Sequence, residues 1–238
     1  MINITKSKMN TFNYNQWISY FSQNDLHRLK IDFSNEQELS ENDKNLIFPS
    51  IKAFQKGEGS DGRYLMKAVT DYINKTGQKE YYDVMQWFIK EENYHSAYLK
   101  EYMDFYKIKP VKHSTLDFIF RKLRQLSGLK SEIITLVTAE MIALTYYDAL
   151  SKCISSPVLK SICKQMLHDE LAHIIFQSHT LKCLKLSKFD NFIRIVLMEV
   201  TSVFVWCAFY KVFMAGGYSF GSFIKENLGY LKQSISLT

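Results

Sequence analysis

Leu159-Lys160-Ser161-Ile162-Cys163-Lys164-Gln165-Met166-Leu167-His168-Asp169-Glu170-Leu171-Ala172-His173 is the stretch whose reading decides the fold. Its apolar positions recur at helical spacing: Leu159, Cys163 and Met166, then Leu181 and Leu184 further on. Glu170 and His173 fall on that same stripe, one turn apart, on the face that should be buried. A buried, unpartnered carboxylate costs several kcal/mol or is forced neutral. The chain must therefore supply a partner, and three other stripes supply candidates.

The second stripe reads Phe88, Glu92, His95, Leu99, so Glu92-Asn93-Tyr94-His95 repeats the spacing of Glu170 and His173. A third reads Val137, Glu140, Leu144, and a fourth reads Phe54, Glu58, Asp61, Leu65. Each of four helices thus places a carboxylate on its core face, and two add a histidine one turn later. Four carboxylates in one core repel by several kcal/mol per close pair at an effective dielectric of ~20. Divalent cations compensate that repulsion. An oxygen-rich set with two imidazoles suits two iron or manganese ions.

The rest of the chain frames these stripes. Nine Gly and three Pro in 238 residues leave room for long regular elements, and 47% hydrophobic with 23% charged residues is ordinary for a globular chain. Periods of three and four run almost throughout, which makes the class all-α. Pro49 suits a helix first turn, and Gly77 a stop. The second helix ends before Pro110, and Ser156-Pro157 reads as a cap and first residue for the fourth. Short links join the first helix to the second and the third to the fourth. A connection over residues 107–131, with a short helix over 116–126, joins the two hairpins. One long crossover between helical hairpins is the ferritin-like bundle topology. The expected organisation is a single domain: a four-helix core over about 49–185, an N-terminal extension over 1–48, and a C-terminal helical region over 186–238. The extension carries an amphipathic segment around Trp17 and a short helix near residues 40–46, without a chemical motif.

The net charge of +6 comes from scattered lysines, not from the one-sided patch that nucleic acid requires. Cys153, Cys163, Cys183 and Cys207 have no CxxC spacing and read as reduced thiols in a cytoplasmic protein. The opening ten residues are polar, unlike a signal peptide. Residues 195–214 approach a bilayer's length of apolar residues. Glu199 and Lys211 interrupt them, so the expected reading is a buried helix, with peripheral membrane contact as the alternative.

Glu91-Glu92-Asn93-Tyr94-His95 is similar to the EENRH motif of soluble acyl-carrier-protein desaturases. Asp169 to His173 is similar to the DExxH motif shared by desaturases, ribonucleotide reductase small subunits and bacterial monooxygenase hydroxylases. Gly57-Glu58-Gly59 is similar to the Gly-Glu motif of ubiquinone-biosynthesis di-iron hydroxylases. Over roughly residues 49–185 the chain resembles the ferritin-like di-iron carboxylate superfamily. The resemblance implies Glu58, Glu92, His95, Glu140, Glu170 and His173 as ligands of two iron ions, or of a manganese–iron pair. Asp61 is the alternative to Glu58, because Gly57, Gly59 and Gly62 crowd the first helix. Ligand histidines give their outer N–H to a carboxylate or carbonyl. Asp169 is the candidate for the histidine of the other pair, and Glu91 mirrors it.

The expected activity is O2-dependent oxidation of a small apolar organic substrate, by a hydroxylase, oxidase or desaturase. A separate protein would donate electrons, since no CxxC pairs mark a rubredoxin-like domain, and a homodimer is the expected assembly. Such an enzyme would have an apolar tunnel ending near Glu58 and Glu140. A ferroxidase with iron as substrate is the alternative, and a helical interaction protein with a structural metal clamp is a third. Tyr147, seven residues after Glu140, lies on the same face and near any metals. His113, His168 and His179 fall off the ligand stripe.

Overall fold

The computed structural model describes residues 1–59, 62–111 and 128–238. Every regular element among them is helical. After two short 3-10 turns come α1 (Tyr14–Leu26), α2 (Glu41–Glu58), α3 (Arg63–Thr76) and α4 (Glu80–Phe105). Beyond the crossover follow α5 (Leu129–Cys153), α6 (Pro157–Cys183), α7 (Lys188–Ala215) and α8 (Phe220–Leu237). The short helix expected over 116–126, His113 and Asp61 lie outside the described residues.

Helix α6 starts as its sequence dictates. The Ser156 hydroxyl accepts from the Leu159 amide at 3.0 Å, and Pro157 occupies the first turn, where its missing N–H costs nothing. Helix α5 packs along α6, and α4 packs on both α2 and α6. One continuous apolar cluster runs through them, including Phe88, Val137, Met166 and Phe176.

The first helix departs from expectation in two ways. It begins at Glu41, where the Ser40 hydroxyl accepts from the Asp43 amide at 3.1 Å. The separate turn expected near residues 40–46 is therefore the start of α2, and Pro49 sits inside the helix. Pro49 is solvent-exposed, so water can serve the carbonyl that its ring leaves unpaired. The second departure is a break after Glu58. Gly62, at φ 64°, starts α3 in the left-handed conformation that suits glycine. The stripe from Phe54 to Leu65 therefore runs on two helices, and Glu58 is the last residue of the first.

Helix α1 lies against α4 with Trp17 and Phe21 buried, so the N-terminal extension forms one wall of the core. Helix α7 packs on α5, α2 and α8 through one face only. The α7–α8 turn comes so close to α5 that a side chain at Gly216 would run into the Ala149 backbone. The four cysteines are free, and Cys207 is exposed.

Candidate metal centre

Helices α4 and α6 bring Glu92, His95, Glu170 and His173 together, with one ligand atom of each within 4.8 Å of all the others. The four residues can hold a metal ion. Both histidines are fully buried, and Glu170 is nearly so. Their Nδ1 atoms face inward. His173 Nδ1 lies 2.8 Å from Glu92 Oε1 and 3.5 Å from Glu170 Oε2. His95 Nδ1 lies 3.5 Å from Glu170 Oε1 and 3.8 Å from Glu92 Oε1. Each carboxylate therefore touches both imidazoles, its own helix's and the facing one's.

The outer nitrogens are held crosswise. His95 Nε2 is 3.2 Å from Asp169 Oδ2, and His173 Nε2 is 2.8 Å from Glu91 Oε2. Asp169 is itself gripped by the Gln165 amide at 2.9 and 3.0 Å and by His168 Nδ1 at 3.0 Å. Glu91 accepts from the Asn24 amide of α1 at 3.2 Å. Phe88 and Phe21 pack on the His173 ring, with centroids at 4.8 and 5.9 Å.

Glu140 is 4% exposed on α5, and neither of its carboxylate oxygens has a hydrogen-bond partner. Burial raises its pKa well above the ordinary value; nearby His173 opposes the rise, while Glu170, Glu92 and Glu58 add to it. Glu58 is also raised well above the ordinary value, by burial and then by Glu92 and Glu170. Its Oε1 accepts from the Tyr147 hydroxyl at 2.6 Å. Burial works against charge on His95 and His173, yet the carboxylates around them outweigh it and hold both well above the usual imidazole range.

A protein-only site of this kind is poorly satisfied. Glu92 Oε1, His95 Nδ1, both Glu140 oxygens, Glu170 Oε2 and His173 Nδ1 are buried without an aligned hydrogen-bond partner. Native interiors leave few such groups. Six atoms of ligand type, from α4, α5 and α6, lack an aligned hydrogen bond and fit a cation better than they fit one another.

Several neighbours had no motif to mark them. Asn24 belongs to the extension and is set against Glu91 only by the tertiary fold. Gln165 lies four residues before Asp169, a spacing that could have shown it. Gln177 continues the stripe four residues after His173, is fully buried, and has neither amide atom partnered. A small, partly open pocket with room for about one water lies outside the centre, lined by Asn24, Asp25, Arg28, Glu91, Gln165 and Asp169 among others. It reaches the outer carboxylates, and it is not the apolar tunnel expected near Glu58 and Glu140.

No protein-family model, curated protein or solved structure matches the chain. Shown directly are an all-helical fold and a buried Glu/His cluster able to hold a metal ion.

Proposed function

We propose that the chain is an O2-activating, non-haem di-iron oxidoreductase of ferritin-like build, acting on a small apolar organic substrate. The observation that supports this best is the set of six buried ligand-type atoms without an aligned hydrogen bond, together with a carboxylate behind each histidine. A lone buried ion pair would need neither. The helix order also supports it: the broken first helix, α2 and α3, leads by a short link into α4, which packs on both, a short link joins α5 to α6, and the long crossover lies between the pairs.

Glu92, His95, Glu170 and His173 would hold the metals from two facing helices, and Glu140 and Glu58 would complete the set from α5 and α2. When bound, reduced iron would supply O2 binding and the electrons that reduce O2, so that the activated oxygen could oxidise the substrate. Asp169 and Glu91 would accept the Nε2–H of His95 and His173, which leaves Nδ1 as the lone-pair donor. Phe21, Phe88 and Trp17 keep this side of the centre apolar. The Tyr147 hydroxyl would hold Glu58 at the open end of α2. A separate electron donor and a dimeric assembly belong to the same reading.

Metal analysis after anaerobic reconstitution tests the proposal. Two iron atoms per chain and O2 consumption coupled to an organic reductant are expected. Fewer than one iron or manganese per chain overturns the di-metal reading. A hollow multi-subunit shell that mineralises added iron would replace the oxygenase with a ferroxidase.

A further inference from the structure

Helix α7 is apolar on both sides. Its buried face sets Arg194, Thr201 and Ser202 among Met198, Val205, Val212 and Phe213, and its exposed face carries Phe189, Phe192, Val196, Val200, Val203 and Phe204. Phe189 and Val200 are 69% and 63% exposed, a degree unusual for residues of this kind along one helix. Only 28% of its most apolar window is buried, against 83% for α5. The rotation of α7 is pinned by polar pairs on the inner side. Arg194 donates to Ser234 of α8 at 2.6 Å. The Asn227 amide donates to Ser202 at 3.1 Å, and Thr145 of α5 donates to Asn227 Oδ1 at 2.8 Å. Rolling the apolar face inward would break those bonds and strand a guanidinium, so the fold presents the face outward.

Charge sets what can cover it. Lys182, Lys185 and Lys188 are exposed where α7 begins, Lys211 is exposed near its far end, and Lys225 is exposed on α8 beyond it. None of the five has a carboxylate within salt-bridge distance among the described residues. The only acid on the outer side of α7 is Glu199, at the margin of the apolar arc. A second copy of this face, parallel or antiparallel, would bring lysine against lysine. An anionic surface meets no such conflict. From Phe189 to Phe204 the strip is roughly 22 Å long at 1.5 Å per residue, which suits a helix lying in the plane of a membrane interface.

We infer that the outward face of α7 docks on an anionic phospholipid bilayer, with its aliphatic and phenyl groups in the acyl boundary and the flanking lysines at headgroup phosphates. The reading does not depend on the metal chemistry. Co-sedimentation of the full-length protein with phosphatidylcholine vesicles, with and without about one-third phosphatidylglycerol, tests it. Binding to the anionic vesicles, weakened by salt, is expected. Val196→Glu with Val200→Glu should abolish it without changing helicity or metal content, because both side chains point to solvent. Lys182→Gln, Lys185→Gln and Lys188→Gln together should weaken it roughly 100-fold. Wild-type protein that ignores anionic vesicles overturns the inference, as does undiminished binding by the double glutamate variant. A concentration-dependent dimer that the same double variant splits, with no vesicle binding, assigns the face to a second copy instead.

Discussion

The two Glu-x-x-His pairs and the two lone glutamates reach the same centre by different routes. Glu92 with His95, and Glu170 with His173, sit in the middle of uninterrupted helices α4 and α6. Each pair carries its own geometry, because residues three apart share a helix face. Each histidine is then fixed from behind by a carboxylate of the facing helix. Glu140 has no such support, and Glu58 ends its helix and rests on a hydroxyl from α5. A motif that repeats within a helix builds a site with little help. A lone carboxylate is placed by tertiary packing, and burial pushes its pKa well above the ordinary value.

The largest effect should come from breaking the stronger half. Glu170→Ala removes a carboxylate that approaches both imidazoles, and metal binding should fall below detection by elemental analysis. The metal-free variant should also be less stable, since His95 and His173 lose a buried counter-charge. Retention of two metals would show that the lone glutamates, not the Glu-x-x-His pairs, dominate the site. Asp169→Asn and Glu91→Gln keep the shape behind the histidines but remove the charge. Each should lower metal affinity by about 10–100-fold in competition with a chelator. Equal effects would confirm the crosswise symmetry of the two outer carboxylates.

Much of this half was legible in the sequence. Two Glu-x-x-His spacings on apolar stripes imply buried pairs before any coordinates are known, and the acids preceding Glu92 and Glu170 stand next to the ligand positions. The weaker half was less legible. The stripe through Phe54, Glu58 and Leu65 keeps helical phase and favours one helix, yet the three glycines at 57, 59 and 62, which also allowed a loop there, prevail and the helix ends at Glu58. Ser40 outcompeted Pro49 as a helix start because a proline on the solvent face is tolerated. Asn24 and Phe21 could not have been placed, since α1 meets the centre only through contacts distant in sequence. Helix α7 was expected to be buried on its apolar composition, but hydropathy is blind to which face carries Arg194.

Acidity separates the metal-free protein from the loaded one. His95 and His173 are held above their unfolded value of 6.5, and Glu58 and Glu140 above 4.5. All four bind protons more tightly when folded. The stability they contribute is present in full below those unfolded values and is lost as pH rises through the folded ones. Metal binding requires the imidazoles to lose their protons, so affinity moves the opposite way. Thermal melts from about pH 6 to pH 8 should show the metal-free Tm falling while the stabilisation by iron or manganese grows. Parallel curves would mean that the histidines are neutral in the metal-free protein. In that protein Glu140→Met replaces an unsatisfied buried carboxyl with a side chain of similar size. It should raise metal-free stability by about 1–3 kcal/mol and lower metal loading. A variant that loses stability would require a hydrogen-bond partner for Glu140.

Tyr147→Phe is the finest probe, because it alters only how the weaker half is held. The lost hydroxyl donates to Glu58 at 2.6 Å, and the ring contacts with Phe54 and Tyr146 remain. A single hydrogen bond of this kind contributes about 1 kcal/mol, so metal-free stability should fall by no more than that. Metal stoichiometry discriminates further. If Glu58 is a ligand, the variant should keep the metal bound by the Glu-x-x-His pairs while a second metal binds more weakly, with the change visible in a titration as two separated affinities. If Asp61 serves instead, Tyr147→Phe leaves both affinities unchanged, and Glu58→Gln does the same. The pair of variants thus decides which residue of the broken first helix completes the centre.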